Sequence, residues 1–153
     1  MTNRTLSILK PNVVAKHHTG EILTLIEKQG FRIIALKMLQ FTTIDAAKFY
    51  SIHKNRPFFR NLNLFMTAGP VIVMVLEKEN AVADFRKMIG DTDPQKAEKN
   101  TIRSLFGESK TRNAIHASDS EENARQEISF FFSEREITEK PYLLPIPEKE
   151  IDA

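Results

Sequence analysis

The chain has 153 residues, 41% apolar and 27% charged, which is the composition of one globular domain and not of a disordered chain. Its formal net charge of +2 is too small to be a nucleic-acid footprint, and with no cysteine it has no disulfide framework, thiolate chemistry or sulfur-ligated metal. The longest apolar run, Val71 to Leu76, suits a buried strand and falls short of a membrane span, and Met1-Thr-Asn-Arg4 lacks the apolar core of a signal peptide. These features point to a cytoplasmic protein.

Arg4 to Leu9 reads as a first strand, stopped at Lys10-Pro11 because proline breaks the ladder. Ile22, Leu25, Ile26 and Gln29 share one helical face, with Gly30 as the stop. Phe31 to Phe41 is apolar on both alternating faces, so the expectation is a central strand. Thr43 is expected to cap a helix with the stripe Ala46, Phe49, Tyr50 and His53. A short helix over Arg60 to Met66 ends at Gly69-Pro70, and Val71 to Leu76 is a third strand.

Asn80 is expected to cap a helix with Val82, Phe85 and Ile89 inward and Gly90 after it. Asp91 to Arg112 is polar and irregular, longer than an ordinary connection. A short strand around Ala114 to His116 leads into a last helix, with Ala124, Ile128, Phe131 and Phe132 inward. Ser118-x-x-Glu121 has the form of a capping box, so that helix is expected to begin near Ser118, its amides favouring a phosphate beside His116. Strand, helix, strand, strand, helix, strand is the split βαβ order. The fold class is therefore α+β, ferredoxin-like, with a four-stranded antiparallel sheet covered by helices. Residues 1–140 form the domain, and the proline-bearing tail 141–153 is an extension, extended or docked on a neighbour.

Five glycines form neither GxxxxGK[ST] nor GxGxxG, so any phosphate must be handled by side chains. Lys10, Arg86 and Arg103 are the candidates, although spacing cannot demonstrate that they converge. Glu127 flanks the apolar stripe of the last helix. It is either an exposed helical glutamate or an acceptor for an imidazole N–H, which would fix the tautomer of His116 and leave its other nitrogen free to attack phosphorus. Tyr50 lies on a core-facing stripe and its hydroxyl needs a polar partner. Phe58 offers either a stacking face or a core ring. His17, His18 and His53 read as structural or solvated, because no second ligand stands at metal-binding spacing.

Together these segments resemble the nucleoside diphosphate kinase family from Arg4 to about Ile137. The motifs are Lys10-Pro-Asn12, Phe49-Tyr50, Arg56-Pro-Phe-Phe59, Gly69-Pro70, Glu79-Asn-Ala-Val82, Asp93-Pro94, Thr101-Ile-Arg103 and Asn113-x-x-His116-x-Ser-Asp119. The resemblance implies γ-phosphate transfer from nucleoside triphosphates to diphosphates by a ping-pong route. His116 is then the nucleophile, phosphorylated on Nδ1, with Glu127 and Ser118 holding it. Lys10, Tyr50, Arg86, Thr92, Arg103 and Asn113 match phosphate- and ribose-binding positions, and Phe58 matches the base-stacking ring. Mg²⁺ arrives with the nucleotide, held by phosphate oxygens and water and by no protein side chain. The implied partners are nucleotides and copies of the same chain, as a tetramer or hexamer, with no membrane and no specific nucleic acid. Broad tolerance of base and sugar follows from stacking without edge readout. Three departures stand out, one of them a stretch after about Ile137 that is longer than in many bacterial-type members. Ala117 replaces the family's usual glycine after the histidine, and Lys110 replaces a commonly apolar residue near the base.

Overall fold

The computed structural model describes residues 3–139; the tail 141–153 assigned above as an extension lies outside the described residues. Four strands, β1 (Arg4–Leu9), β2 (Arg32–Leu39), β3 (Val71–Glu77) and β4 (Ile115–Ala117), form one sheet in the order β2-β3-β1-β4. Every neighbouring pair is antiparallel. The α+β, ferredoxin-like expectation holds.

Strand alternation splits the core into two layers. Leu9, Ile72, Met74 and Leu76 face the helices α2 (Thr19–Lys28) and α5 (Ala81–Ile89), meeting Ile22, Ile26, Phe85 and Ile89. Leu6, Ile8, Val71, Val73 and Val75 face α3 (Thr43–Phe49), α4 (Phe59–Met66) and α7 (Glu121–Phe131), meeting Ala46, Leu62, Met66 and Phe132. His116 opposes Ile8 in the β1–β4 register, which sends its side chain towards the α3 and α7 layer.

Several local expectations change. The segment around β2 is an edge strand and not a central one: it pairs with β3 alone, and Leu36 and Met38 are 45% and 59% exposed. An apolar run on both faces looks the same in sequence whether its second neighbour comes from this chain or from elsewhere. Pro11 does not merely stop β1 but opens a short helix α1 (Pro11–Ala15), since its missing N–H is unneeded in the first turn. Thr42, not Thr43, caps α3, sharing a capping box with Asp45. Asn80 precedes α5 with φ +56° and makes no side-chain cap; its amide donates to Asp84 at 3.2 Å instead. The stretch 91–112 carries a helix, α6 (Ile102–Phe106), capped by Thr101.

The last helix starts later than expected. Ser120 is its cap, accepting from the amide of Asn123 at 3.1 Å, and Glu121 and Glu122 occupy the positive first turn. Ser118 is fully buried, and its hydroxyl accepts from the Leu6 amide at 3.2 Å. The start of α7 thus lies two residues further from His116 than expected, and its first turn has carboxylates of its own.

Candidate active site

At the end of β1 the chain leaves the sheet at Lys10, whose backbone amide donates to Ala114 at 2.9 Å and ties it to the approach of β4. Tyr50 ends α3, Phe58 precedes α4, Arg86 lies on α5, and Thr92, Arg103 and Asn113 come from the long connection into β4. With His116 and Glu127, all of them line one cavity of about 520 Å³. Ser118, the remaining expected member, is absent from its lining and is committed to β1.

The imidazole is held from two sides. Nε2 of His116 faces the Glu127 carboxylate, with both side chains largely withdrawn from water at 21% and 15% exposure. A carboxylate only accepts, so Nε2 is the donor, and the tautomer this selects has its lone pair on Nδ1. The Phe49 ring packs edge-on against the imidazole at 5.2 Å between centroids, and Tyr50 at 6.2 Å. These contacts fix the plane of the ring as well as its tautomer.

The cationic groups Lys10, Arg86 and Arg103 converge on this cavity, with the Asp91 carboxylate as a minor counter-charge to Arg103. Arg103 is almost buried and spends its guanidinium on backbone, Nη1 donating to Gly90 at 3.1 Å and Nη2 to Ile115 at 2.9 Å. Burial, and then the charge of Arg86, lower its pKa to about 10. Lys10 Nζ donates to the Thr111 carbonyl at 3.2 Å; burial, and then Arg103, lower its pKa to about 7. Like charges gathered in a partly dry cavity repel until an anion joins them, which favours phosphate. Three buried polar atoms on lining residues lack partners: the Tyr50 hydroxyl, Nε of Arg103 and Oδ1 of Asn113. Burial, and then the Glu127 carboxylate, raise the Tyr50 phenol well above its ordinary pKa, so it stays a donor. The amide of Asn113 donates to Thr92 O at 3.0 Å.

The profile of the nucleoside diphosphate kinase family matches residues 3–137. The chain belongs to the nucleoside diphosphate kinase family. It is 57% identical over 134 residues to a nucleoside diphosphate kinase of Nitratiruptor, covering 88% of this chain and 98% of that one. It is 55% identical to the Chlamydia felis enzyme, covering 88% and 95%. Among solved structures, the Aquifex aeolicus nucleoside diphosphate kinase superposes with a TM-score of 0.87 at 49% identity, covering 89% of this chain and 99% of that one. A halophilic nucleoside diphosphate kinase from Halobacterium salinarum, solved in complex with CDP, superposes at 0.88 with 33% identity, covering 93% and 95%. In class, then, the chain is a phosphotransferase of nucleotide metabolism.

For this member of the nucleoside diphosphate kinase family, the Ala117 departure has an account in backbone terms. Ala117 lies within β4, paired with Ser7, and is not among the residues with positive φ. No glycine is needed there. The left-handed residue of this segment is Ala114, at φ +75°. Lys110 lines the same cavity as Phe58.

The cavity also takes in residues that sequence reasoning passed over. Asp119, Asn123 and Gln126 line it beside Glu127. The spacing of Asn123, Gln126 and Glu127 at three and four residues was a legible signal that they share one face of the last helix, which Asp119 precedes. His53, read as structural or solvated, lies in the lining with its ring 5.4 Å from Phe58. Its place on the Tyr50 stripe was the available clue. Among the described residues no three His, Asp or Glu side chains gather to hold a metal ion. The cavity's charged groups suit nucleotide phosphates instead.

Proposed function

We propose that this chain moves the γ-phosphate of a nucleoside triphosphate onto a nucleoside diphosphate through phospho-His116, in a ping-pong cycle. The single observation that carries the reading is the His116–Glu127 contact, which leaves Nδ1 as the free lone pair beside three cationic side chains. Nδ1 attacks the γ-phosphorus, the P–N bond forms, and the bond to the β–γ bridging oxygen breaks. The diphosphate departs with that electron pair. Glu127 offsets the positive charge that the ring then bears. A second diphosphate attacks the phosphorus and the cycle runs in reverse.

Lys10, Arg86 and Arg103 are assigned to the phosphate oxygens, where charge spreads in the transition state. Tyr50, Thr92 and Asn113 are assigned to ribose and phosphate, the unpartnered polar atoms of Tyr50 and Asn113 supporting this. Phe58, 44% exposed on the cavity, is assigned to base stacking, which touches a π-face and not a hydrogen-bonding edge. Tolerance of different bases and of ribose or deoxyribose follows. Ser118 acts at most through the backbone of β1. The nucleotide is taken as its Mg²⁺ complex, the ion held by phosphate oxygens and water and partly neutralising them. The CDP complex of the halobacterial relative supports a nucleoside diphosphate as a partner.

The edge strand β2, covered at Ile34 by Thr138 but with Leu36 and Met38 exposed beyond it, supports a homo-oligomer, a tetramer or hexamer, because exposed apolar residues on an edge strand favour a further copy. The kinase domain is taken to span 1–140, with 141–153 as its extension. A sequence without cysteine supports a cytosolic setting.

The deciding experiment mixes the protein with labelled ATP and Mg²⁺ and isolates the protein. An acid-labile, base-stable label that passes to any added nucleoside diphosphate is expected. Full exchange by a His116→Ala variant would overturn the assignment.

A further inference from the structure

One group in the cavity has chemistry that phosphoryl transfer does not use. Lys10 Nζ is 6% exposed as a residue, has one hydrogen bond, to the Thr111 carbonyl, and no carboxylate partner among the described contacts. Arg103 and Arg86 lie on the same cavity, and Lys110 adds a third cation there. The anionic side chains of the lining are Asp119, which accepts from Asn123, and Glu127, engaged on His116. The unpartnered Tyr50 hydroxyl and Nε of Arg103 are both donors in want of an acceptor.

Such surroundings disfavour an added proton on the amine and favour any reaction that replaces positive with negative charge. Carbon dioxide performs that conversion. We propose that Lys10 is a carbamylation site: in the protein without nucleotide, Nζ adds to CO₂ and becomes an anionic carbamate that Arg103, Arg86 and the free donors stabilise. The nitrogen lone pair forms the N–C bond, one C=O π pair moves onto oxygen, and one N–H proton passes to water. No oxidant or further reactant is needed. Burial lowers the Lys10 pKa to about 7, so an unprotonated fraction exists near neutrality. An exposed lysine, with its ordinary pKa near 10.4, has almost none.

The carbamate and the nucleotide phosphates then compete for the same cations, so CO₂ occupies the unloaded protein and nucleotide displaces it. Carbamate formation itself does not depend on the kinase reading; only the displacement does.

The test treats the intact protein with ¹³C-labelled CO₂ and bicarbonate near neutral pH, traps carbamates by O-alkylation, and locates the adduct by peptide mass spectrometry. A ¹³C carbamate resonance in the untrapped protein is the second readout. An adduct on Lys10 in preference to exposed lysines is expected, lost on adding a nucleoside diphosphate with Mg²⁺ and absent from Lys10→Arg. Adducts on exposed amines with none on Lys10, or no adduct, overturn the proposal. An adduct on Lys10 that nucleotide leaves untouched sinks the competition and separates that failure from the carbamate itself. Phosphoenzyme formation is scored separately in CO₂-free buffer, so the two readings fail independently.

Discussion

Arg103 Nη2 donates at 2.9 Å to the carbonyl of Ile115, the residue before His116, while Nη1 donates to Gly90 at the end of α5. One buried guanidinium thus joins the 91–112 connection, α5 and β4. Lysine has a single nitrogen and cannot span both carbonyls. Arg103→Lys is expected to lose about 1.5–3 kcal/mol of stability, read from the denaturant midpoint, as a charge-assisted bond is broken. Exchange activity should fall as well. An unchanged midpoint would mean that the guanidinium does not brace β4.

The His116–Glu127 contact gives a second expectation. Glu127→Gln preserves shape but offers the ring either a donor or an acceptor, so the tautomer is no longer imposed. Phosphoenzyme formation, followed by rapid quench, should slow on the order of 10²-fold. Nucleotide affinity should stay close to that of the unmodified protein. Equal losses in affinity and rate would contradict a role confined to the imidazole.

Lys10 predicts a proton linkage. Its folded pKa is about 7 against an ordinary 10.5, so between these values the folded state has lost a proton that the unfolded state retains. Stability from this group therefore rises with pH across that window, and below pH 7 the full cost of burying an ammonium is borne. Lys10→Met should flatten this rise and be the more stable protein at pH 6. Bound phosphate restores the charge, so at pH 8 nucleotide binding should take up protons. Calorimetry in buffers of different ionisation heat measures this, and zero uptake would refute it.

Phe58 is the exposed ring of the cavity, braced by His53. Stacking on a base contributes about 1–3 kcal/mol, so Phe58→Ala should weaken nucleotide binding roughly 5- to 150-fold. The loss should be similar for purines and pyrimidines in equilibrium titrations. Loss for one base alone would argue for edge recognition.

The two alanines around His116 give a contrasting pair. Ala114 has φ +75°, in the left-handed region, whereas Ala117 is not among the positive-φ residues and pairs in β4. Ala114→Gly should stabilise by about 1 kcal/mol, since glycine tolerates that angle. Ala117→Gly should destabilise by about 0.5–1 kcal/mol and leave the rate unimproved. Thermal melts of both variants decide the matter.

Much of this was written in local pattern. Strand alternation, the apolar stripe of α2 and the left-handed Gly30 after it are properties of neighbouring residues, so the split βαβ order was legible. Local pattern misled where two readings share one signature. Ser118-x-x-Glu121 fits a capping box, yet burial of Ser118 against the Leu6 amide moved the cap to Ser120. Phe31 to Phe41 is apolar on both faces, yet β2 is an edge.

Element order, the family motifs and the kinds of side chain available (one imidazole, one helical carboxylate, three cations) could be read along the chain. That they meet is a property of the packed fold. Lys10, Arg86, Arg103 and His116 come from four separate segments, and a shared cavity depends on how β1, α5, α6 and β4 pack. The lowered proton affinities of Lys10 and Arg103 were equally unreadable, because desolvation and like-charge repulsion depend on distances through space and not along the chain.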